Sequence, residues 1–420
     1  MSSRREAIFV LTRWLATHEF PDRLIPDVPD RAFITDLVYT TVRYHRTLLW
    51  SLEPLVKKMP KGETEAALLI GACQILFMPD VADYAAVNET VEAVKLTSKG
   101  VAGLVNAVLR NLLRNRDAVL ADLEKQPLGI RTSHPDSLIT RWLERFGETE
   151  TLALCAWNNT PAQVFISYRP DLRPTDAEAE RPDSTEKGLS GFSQVPRGTR
   201  VEAIPGYGDG AFIVQDPSTA PSIELLNLKP GLKVLDACAA PGGKTVQIAW
   251  RMGAPSSGSP QLLVALDLHE DRLNTVRANL ARTGQSWVTV CQGDLTVNPQ
   301  AALASYGLFD RILVDAPCSN SGVLRRRPDA RWRWTTKRMK GLAATQAMML
   351  ENALSLLAPG GRLVYSTCSL EPEENRQQIA KLRRAHPDVL CAAVEERIPT
   401  RSHTDGSFAC ALERDPSYTN

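Results

Sequence analysis

Through residues 1–125 apolar positions recur at intervals of three and four, with no two-residue alternation, and the spacing predicts helix after helix. The clearest stripe is Leu104, Val105, Val108, Leu109, Leu112 and Leu113. The spacing repeats at Leu68, Ala72, Ile75 and Leu76, and again at Val87, Val91 and Val94, where Asn88 is a candidate cap. Helices of this kind bury their stripes against one another, so a helical bundle is expected. Between residues 131 and 225 one short helical piece, Leu138 to Phe146, precedes the polar run RPDLRPTDAEAERPDSTEKG. That run has too few apolar side chains to build a core and reads as a surface insertion.

Beyond residue 228 the pattern changes again. Short apolar runs ending in an acid, Lys233 to Asp236, Leu263 to Asp267 and Arg311 to Asp315, alternate with helix-like stretches at Glu270 to Thr283 and Leu342 to Leu357. This alternation predicts a doubly wound, Rossmann-like α/β domain with a parallel sheet, in which ligands bind at the carboxyl ends of the strands. The expected organisation is therefore multidomain. An all-α unit spans 1–128, a connecting region with a small α+β subdomain and the polar insertion spans 129–227, and the α/β domain spans 228–420.

Composition adds limits. A chain of 420 residues suits more than one domain, and 43% hydrophobic residues are enough for their cores. Lys plus Arg number 49 against 48 for Asp plus Glu, so no global field draws the chain to a polyanion and any nucleic-acid contact must be local. The eight cysteines (73, 155, 238, 291, 318, 368, 391, 410) form no CxxC pair and no cluster at metal-ligand spacing, so no metal is expected. The opening MSSRREAIFVLTRWLATHEF has no sustained apolar core, and no 18-residue apolar run occurs. The expectation is a monomer in the cytoplasm, with no membrane partner and with thiols left free to act as nucleophiles.

Asp236-Ala-Cys-Ala-Ala-Pro-Gly-Gly-Lys-Thr245 follows a strand and opens a helix, so small residues let backbone approach a ligand at a positive helix end. A phosphate-binding P-loop needs glycine where Cys238 stands, and the dinucleotide pattern G-x-G-x-x-G is missing too. Asp267, 24 residues after Gly243, stands where an acid grips the two hydroxyls of a ribose, and Asp294, after Val288 to Val290, suits an adenine amino group. Each acid alone is more often a cap or turn residue, but three end consecutive strands. Farther on, Asp315-Ala-Pro-Cys318 and Ser366-Thr-Cys368 each follow a strand. Neighbouring parallel strands would open both thiols into one crevice, whereas a lone cysteine is usually a small core residue.

DACAAPGGKT, DAPCSNSGVLRRRPDARW and YSTCSLEPEEN closely resemble motifs of the RNA cytosine-5 methyltransferases. GYGDGAFIVQDPSTAP, AALLIGACQILFM, YAAVNETVEAVK and GLVNAVLRNLLRN extend the likeness to the bacterial 16S rRNA (RsmB, Fmu/Sun) branch, whose catalytic domain follows a NusB-like helical domain. The resemblance implies a class I methyltransferase fold, S-adenosylmethionine as cofactor and RNA as partner, most specifically 16S rRNA. It places the cofactor on Cys238, Ala239, Ala240, Pro241, Gly242, Gly243 and Lys244, with Asp267 at the ribose, Asp294 at the adenine and Asp315 adjoining cofactor and cytosine. It makes Cys368 the nucleophile and Cys318 the cysteine that helps release product. Local spacing does not say which thiol attacks. Lys244 is a candidate for making Cys368 more acidic.

Arg325, Arg326, Arg327 and Arg331, with Trp332, crowd the stretch after the Pro-Cys motif. Cations that hold phosphates beside an aromatic that stacks a base suit single-stranded RNA, although a charged run is often only a solvated face. The target cytosine must be unpaired or flipped out. Two other readings stand beside this one: the same reaction on tRNA or another RNA, and a non-catalytic RNA-binding assembly factor. Asp315-Ala-Pro-Cys318, in place of Asn/Asp-Pro-Pro-Tyr, argues against methylation of an exocyclic nitrogen.

Overall fold

A computed structural model of the chain describes residues 2–95, 99–172, 191–297 and 303–415. Most of the polar run at 169–188 lies outside the described residues. Two compact units appear: Met1–Pro161 with Leu324–Thr335, and Ala162–Val323 with Thr336–Asn420.

The first unit is helical. Helix Glu63–Phe77 is its hub, buried almost continuously from Ala66 to Ile75, with Ser3–Thr17, Arg31–Arg43, Asp83–Lys95 and Lys99–Arg114 around it. Gly71 makes that packing possible, because a Cβ there would lie 2.3 Å from Leu109 Cδ1. The sequence stripes fall on these helices as expected. Asn88 does not cap: helix Asp83–Lys95 begins earlier, and Arg110 Nη2 donates to the Asn88 side chain at 3.5 Å.

The unit runs past the expected boundary at 128. Arg46 pairs with Asp136 at 2.7 Å, and the Thr47 hydroxyl donates to the Ile130 carbonyl. The short helix expected at Leu138 to Phe146 is part of Asp136–Asn158, which bends at Gly147 where φ is +78°. The unit also recruits Leu324–Thr335 from far along the chain. This bears on the expectation for Arg325 and Arg331, which are both buried in this unit. Arg331 is fully buried and donates to the carbonyls of Arg43, Ser133 and Asn158 and to Asn159 Oδ1, at 2.9–3.3 Å. Arg325, also buried, lies 4.0 Å over the Trp157 ring, and Arg327 lies 3.9 Å over Phe20. Trp332 Nε1 donates to the Val42 carbonyl at 2.7 Å, while Arg326 is half-buried. Cations and indoles here hold the helical unit together, because a guanidinium that saturates buried carbonyls has few donors left for phosphate.

The second unit opens with a small antiparallel sheet of β1 (Val164–Tyr168), β2 (Phe192–Val195) and β3 (Phe212–Val214), in the order β2-β1-β3. The main sheet contains β4 (Lys233–Asp236), β5 (Leu262–Asp267), β6 (Thr289–Gln292), β7 (Phe309–Asp315), β8 (Leu357–Thr367), β9 (Val389–Arg397) and β10 (Ser407–Arg414), ordered β6-β5-β4-β7-β8-β10-β9. β4 to β8 are parallel. β10 inserts antiparallel between β8 and β9. In β10 the buried Phe408 meets Tyr365 edge-on at 6.4 Å, so this strand packs through an aromatic two residues before Cys410. The order of strands reverses at β4, and the crevice beyond the carboxyl ends of β4 and β7 is where such folds bind ligands. Helix Gly243–Met252 also ties the two sheets together, since Gln247 Nε2 donates to the Ser167 hydroxyl at 3.1 Å.

Candidate active site

The turn after β4 is shaped by its glycines. Gly242 has φ +104°, and a Cβ there would lie 3.2 Å from Val276 Cα, so Cys238 to Gly243 pass close beneath the neighbouring helix. Asp236 is buried and accepts the Thr245 hydroxyl at 2.6 Å; burial pushes its carboxyl up to about 6. Burial, aided by the charges of Asp315, Asp236 and Asp267, holds the Cys238 thiol well above its ordinary value. Asp267 is buried at the end of β5. Its Oδ2 accepts the Ala240 backbone N–H at 3.1 Å, so the acid fixes the turn. Asp294 Oδ1 accepts the N–H and hydroxyl of Thr296.

These residues suit S-adenosylmethionine. Helix Gly243–Met252 offers backbone N–H groups to a carboxylate. Gln215 Oε1 is buried without a hydrogen-bond partner, 3.6 Å from where a Cβ on Gly243 would stand, and suits an amino group beside it. Asp267 and Asp294 supply acceptors for hydroxyl and amino donors.

Parallel register sets Asp315 opposite Ser366. Cys318 and Cys368 follow these partners by three and two residues, and their sulfurs lie 3.3 Å apart. The Cys368 thiol donates to Asn320 Oδ1 at 3.0 Å, and Asn320 sits at φ +61°, a conformation asparagine tolerates. The hydrogen bond to Cys368, then burial and the charges of Cys368 and Glu374, raises the Cys318 pKa well above its ordinary value. Asp315 Oδ2 pairs with Lys244 Nζ at 2.5 Å, and its Oδ1 accepts the Ser366 hydroxyl at 2.7 Å. Burial works against the Lys244 charge, but Asp315, Cys368 and Asp236 outweigh it, so its pKa ends above the ordinary value. The site therefore gathers Lys244, Asp315, Cys318 and Cys368. The basic stretch at 325–332 belongs to the helical unit.

Sequence reasoning missed Glu374, Ser319, Ser369 and Asn320, which brace the two thiols. Glu374 belongs to an acid-rich run that reads as a solvated helix start, and nothing in that pattern signals burial.

The strand order, with a small-residue turn after the first parallel strand, defines a class I methyltransferase, and resemblance to known proteins narrows the class. Residues 223–412 match the family described as 16S rRNA methyltransferase RsmB/F, and residues 1–114 match the NusB family. A probable ribosomal RNA small subunit methyltransferase B from Synechocystis sp. is 34% identical, with 92% of each chain covered. A ribosomal RNA small subunit methyltransferase B from Pseudomonas syringae is 36% identical, over 84% of this chain and 79% of its own. The crystal structure of PH0851 shares the fold, with 21% identity, 99% of each chain covered and a TM-score of 0.78. The chain belongs to the RsmB/F methyltransferase family.

Proposed function

We propose that the protein methylates C5 of a cytosine in 16S rRNA, with S-adenosylmethionine as donor and with Cys368 bonded transiently to C6. The observation that carries this reading is the pair of thiols at 3.3 Å beside the Lys244–Asp315 ion pair.

C5 of cytosine is too electron-poor to take a methyl group unaided. The Cys368 thiolate adds to C6, the C5–C6 π electrons shift toward the ring nitrogens, and C5 becomes enamine-like. Lys244, whose charge the Cys368 sulfur helps sustain, is the cation that thiolate faces. Asp315, held as a carboxylate by Lys244 and Ser366, is positioned to accept a hydrogen bond from the cytosine N4 amino group and so to orient the ring for attack. S-adenosylmethionine, held by the turn at 238–244 with Asp267 and Asp294, supplies the electrophilic methyl group.

Release needs a base for the C5 proton, after which the S–C6 bond breaks and returns its electron pair to Cys368. Cys318 suits this late role. While Cys368 is free, the hydrogen bond with it is the largest influence raising the Cys318 pKa; once Cys368 is bonded to carbon that influence is gone, and only burial and the Glu374 charge still hold the thiol up. The intact pair of cysteines favours an enzyme over a non-catalytic assembly factor, and the relatives' names favour small-subunit rRNA over tRNA. Nucleoside mass spectrometry of 16S rRNA treated with protein and methyl-labelled donor should show label in 5-methylcytidine. Label only in tRNA would redirect the substrate, and label in no cytosine would overturn the reading.

A further inference from the structure

Glu374 is fully buried, and its carboxylate accepts four hydrogen bonds. Oε1 takes the Ser319 backbone N–H at 2.9 Å and Gln346 Nε2 at 3.0 Å. Oε2 takes the hydroxyls of Ser319 and Ser369, each at 2.5 Å. Ser319 follows Cys318 and Ser369 follows Cys368, so one carboxylate grips the residue after each thiol. The anchor is itself fixed to β8. The Tyr365 hydroxyl donates to the Glu374 carbonyl at 2.6 Å, and the neighbouring Asn375 accepts the Thr367 hydroxyl while donating to the Ser369 carbonyl.

A buried carboxylate is costly unless donors replace its water, and four do so here. An ionised carboxylate is acceptor-only, which is what this place requires. A glutamine would turn an NH2 toward the Ser319 N–H or toward hydroxyls whose hydrogens point at it. The carboxylate also bridges the Cys318 loop and the Cys368 loop, two segments 50 residues apart in sequence, beside the direct Ser319–Ser369 hydroxyl contact at 3.1 Å and the Cys368–Asn320 hydrogen bond.

We propose that Glu374 is a positioning residue that, by drawing Ser319 and Ser369 onto one carboxylate, sets the distance between the two reactive sulfurs. The inference rests on the covalent reading of the two cysteines. Attack needs Cys368 alone, whereas release needs Cys318 correctly placed against the same ring, so loosening the clamp falls hardest on release.

The test compares Glu374→Gln with Cys318→Ala in the full chain, on 16S rRNA transcript and S-adenosylmethionine. Misplacement of a reacting group by about 1 Å costs on the order of 100-fold in rate, and that is the expected fall in kcat for Glu374→Gln. KM for RNA and Kd for S-adenosylmethionine should stay within about twofold, since neither ligand touches this carboxylate. A covalent protein–RNA complex should persist on a denaturing gel, as for Cys318→Ala. Ser319→Ala and Ser369→Ala, which each remove one donor, should show the same split at about a tenfold loss, and they decide the matter if Glu374→Gln does not fold. Wild-type kcat in the serine variants, or a parallel collapse of cofactor affinity and kcat, would overturn the proposal. If Cys318→Ala itself trapped no complex, the covalent reading would fail and this proposal with it.

Discussion

At the scale of single residues, the grouping was legible because each side chain stands in a long motif at a strand end: Cys318, Cys368, Asp315 and Lys244 meet in space as their positions after strands implied. What was not legible is burial of charge. Glu371-Pro-Glu-Glu374 reads as acids in water, and the Arg325–Arg331 cations as a surface, yet Glu374 and Arg331 are interior. Residue type gives no sign of that, since the donors that pay for burial come from distant segments. Asp236 gives a further test at this scale. Its carboxyl, raised by burial from 3.8 to about 6, favours the folded state while protonated. Its stabilising contribution is present below pH 4 and lost as pH rises through about 6, a change of about 3 kcal/mol. Relative to Asp236→Asn, the wild-type chain should therefore lose melting temperature between pH 4 and 7. Parallel curves for the two proteins would contradict this.

At the scale of elements, strands β4, β5 and β7 followed from apolar runs that end in an acid, and β6 and β8 from the apolar runs before Asp294 and Cys368. The antiparallel β10 did not, because an inserted strand is specified by its partners rather than by its own periodicity. Nor did the extension of the helical unit to Pro161, where a kinked helix presents two shorter patterns. The loops after β7 and β8 lie against each other through glycine: Gly322 N–H donates to the Cys368 carbonyl at 3.0 Å, and Gly406 N–H to the Gly322 carbonyl at 2.7 Å. A Cβ on Gly322 would stand 2.8 Å from the Cys368 carbonyl oxygen and 2.9 Å from that of Gly406, both backbone atoms that cannot rotate aside. Gly322→Ala should therefore cost about 1–3 kcal/mol of stability and lower kcat further, because the strain falls on the Cys368 loop. Unchanged melting temperature and kcat would show that the loops have room to separate.

At the scale of the whole molecule, a segment that follows the Cys318 motif in sequence belongs to the helical unit in space. Arg331 is its peg. Burial lowers its guanidinium to about 9, still protonated at neutral pH, and four acceptors depend on it. Arg331→Met should destabilise the helical unit by about 3–5 kcal/mol, while the salt dependence of RNA binding stays as in the wild type. A reduced salt slope with unchanged melting temperature would restore Arg331 to the RNA surface. By the same logic, removing residues 1–125 strips Leu324–Thr335 of its packing, so such a truncation should lower the melting temperature.

The most direct measurement is the mass of the peptide joined to RNA when Cys318→Ala is incubated with 16S rRNA and S-adenosylmethionine, digested and sequenced. The nucleotide should be found on Cys368, and Cys368→Ala should give neither adduct nor product. A nucleotide on another residue, or turnover by Cys368→Ala, would contradict the account.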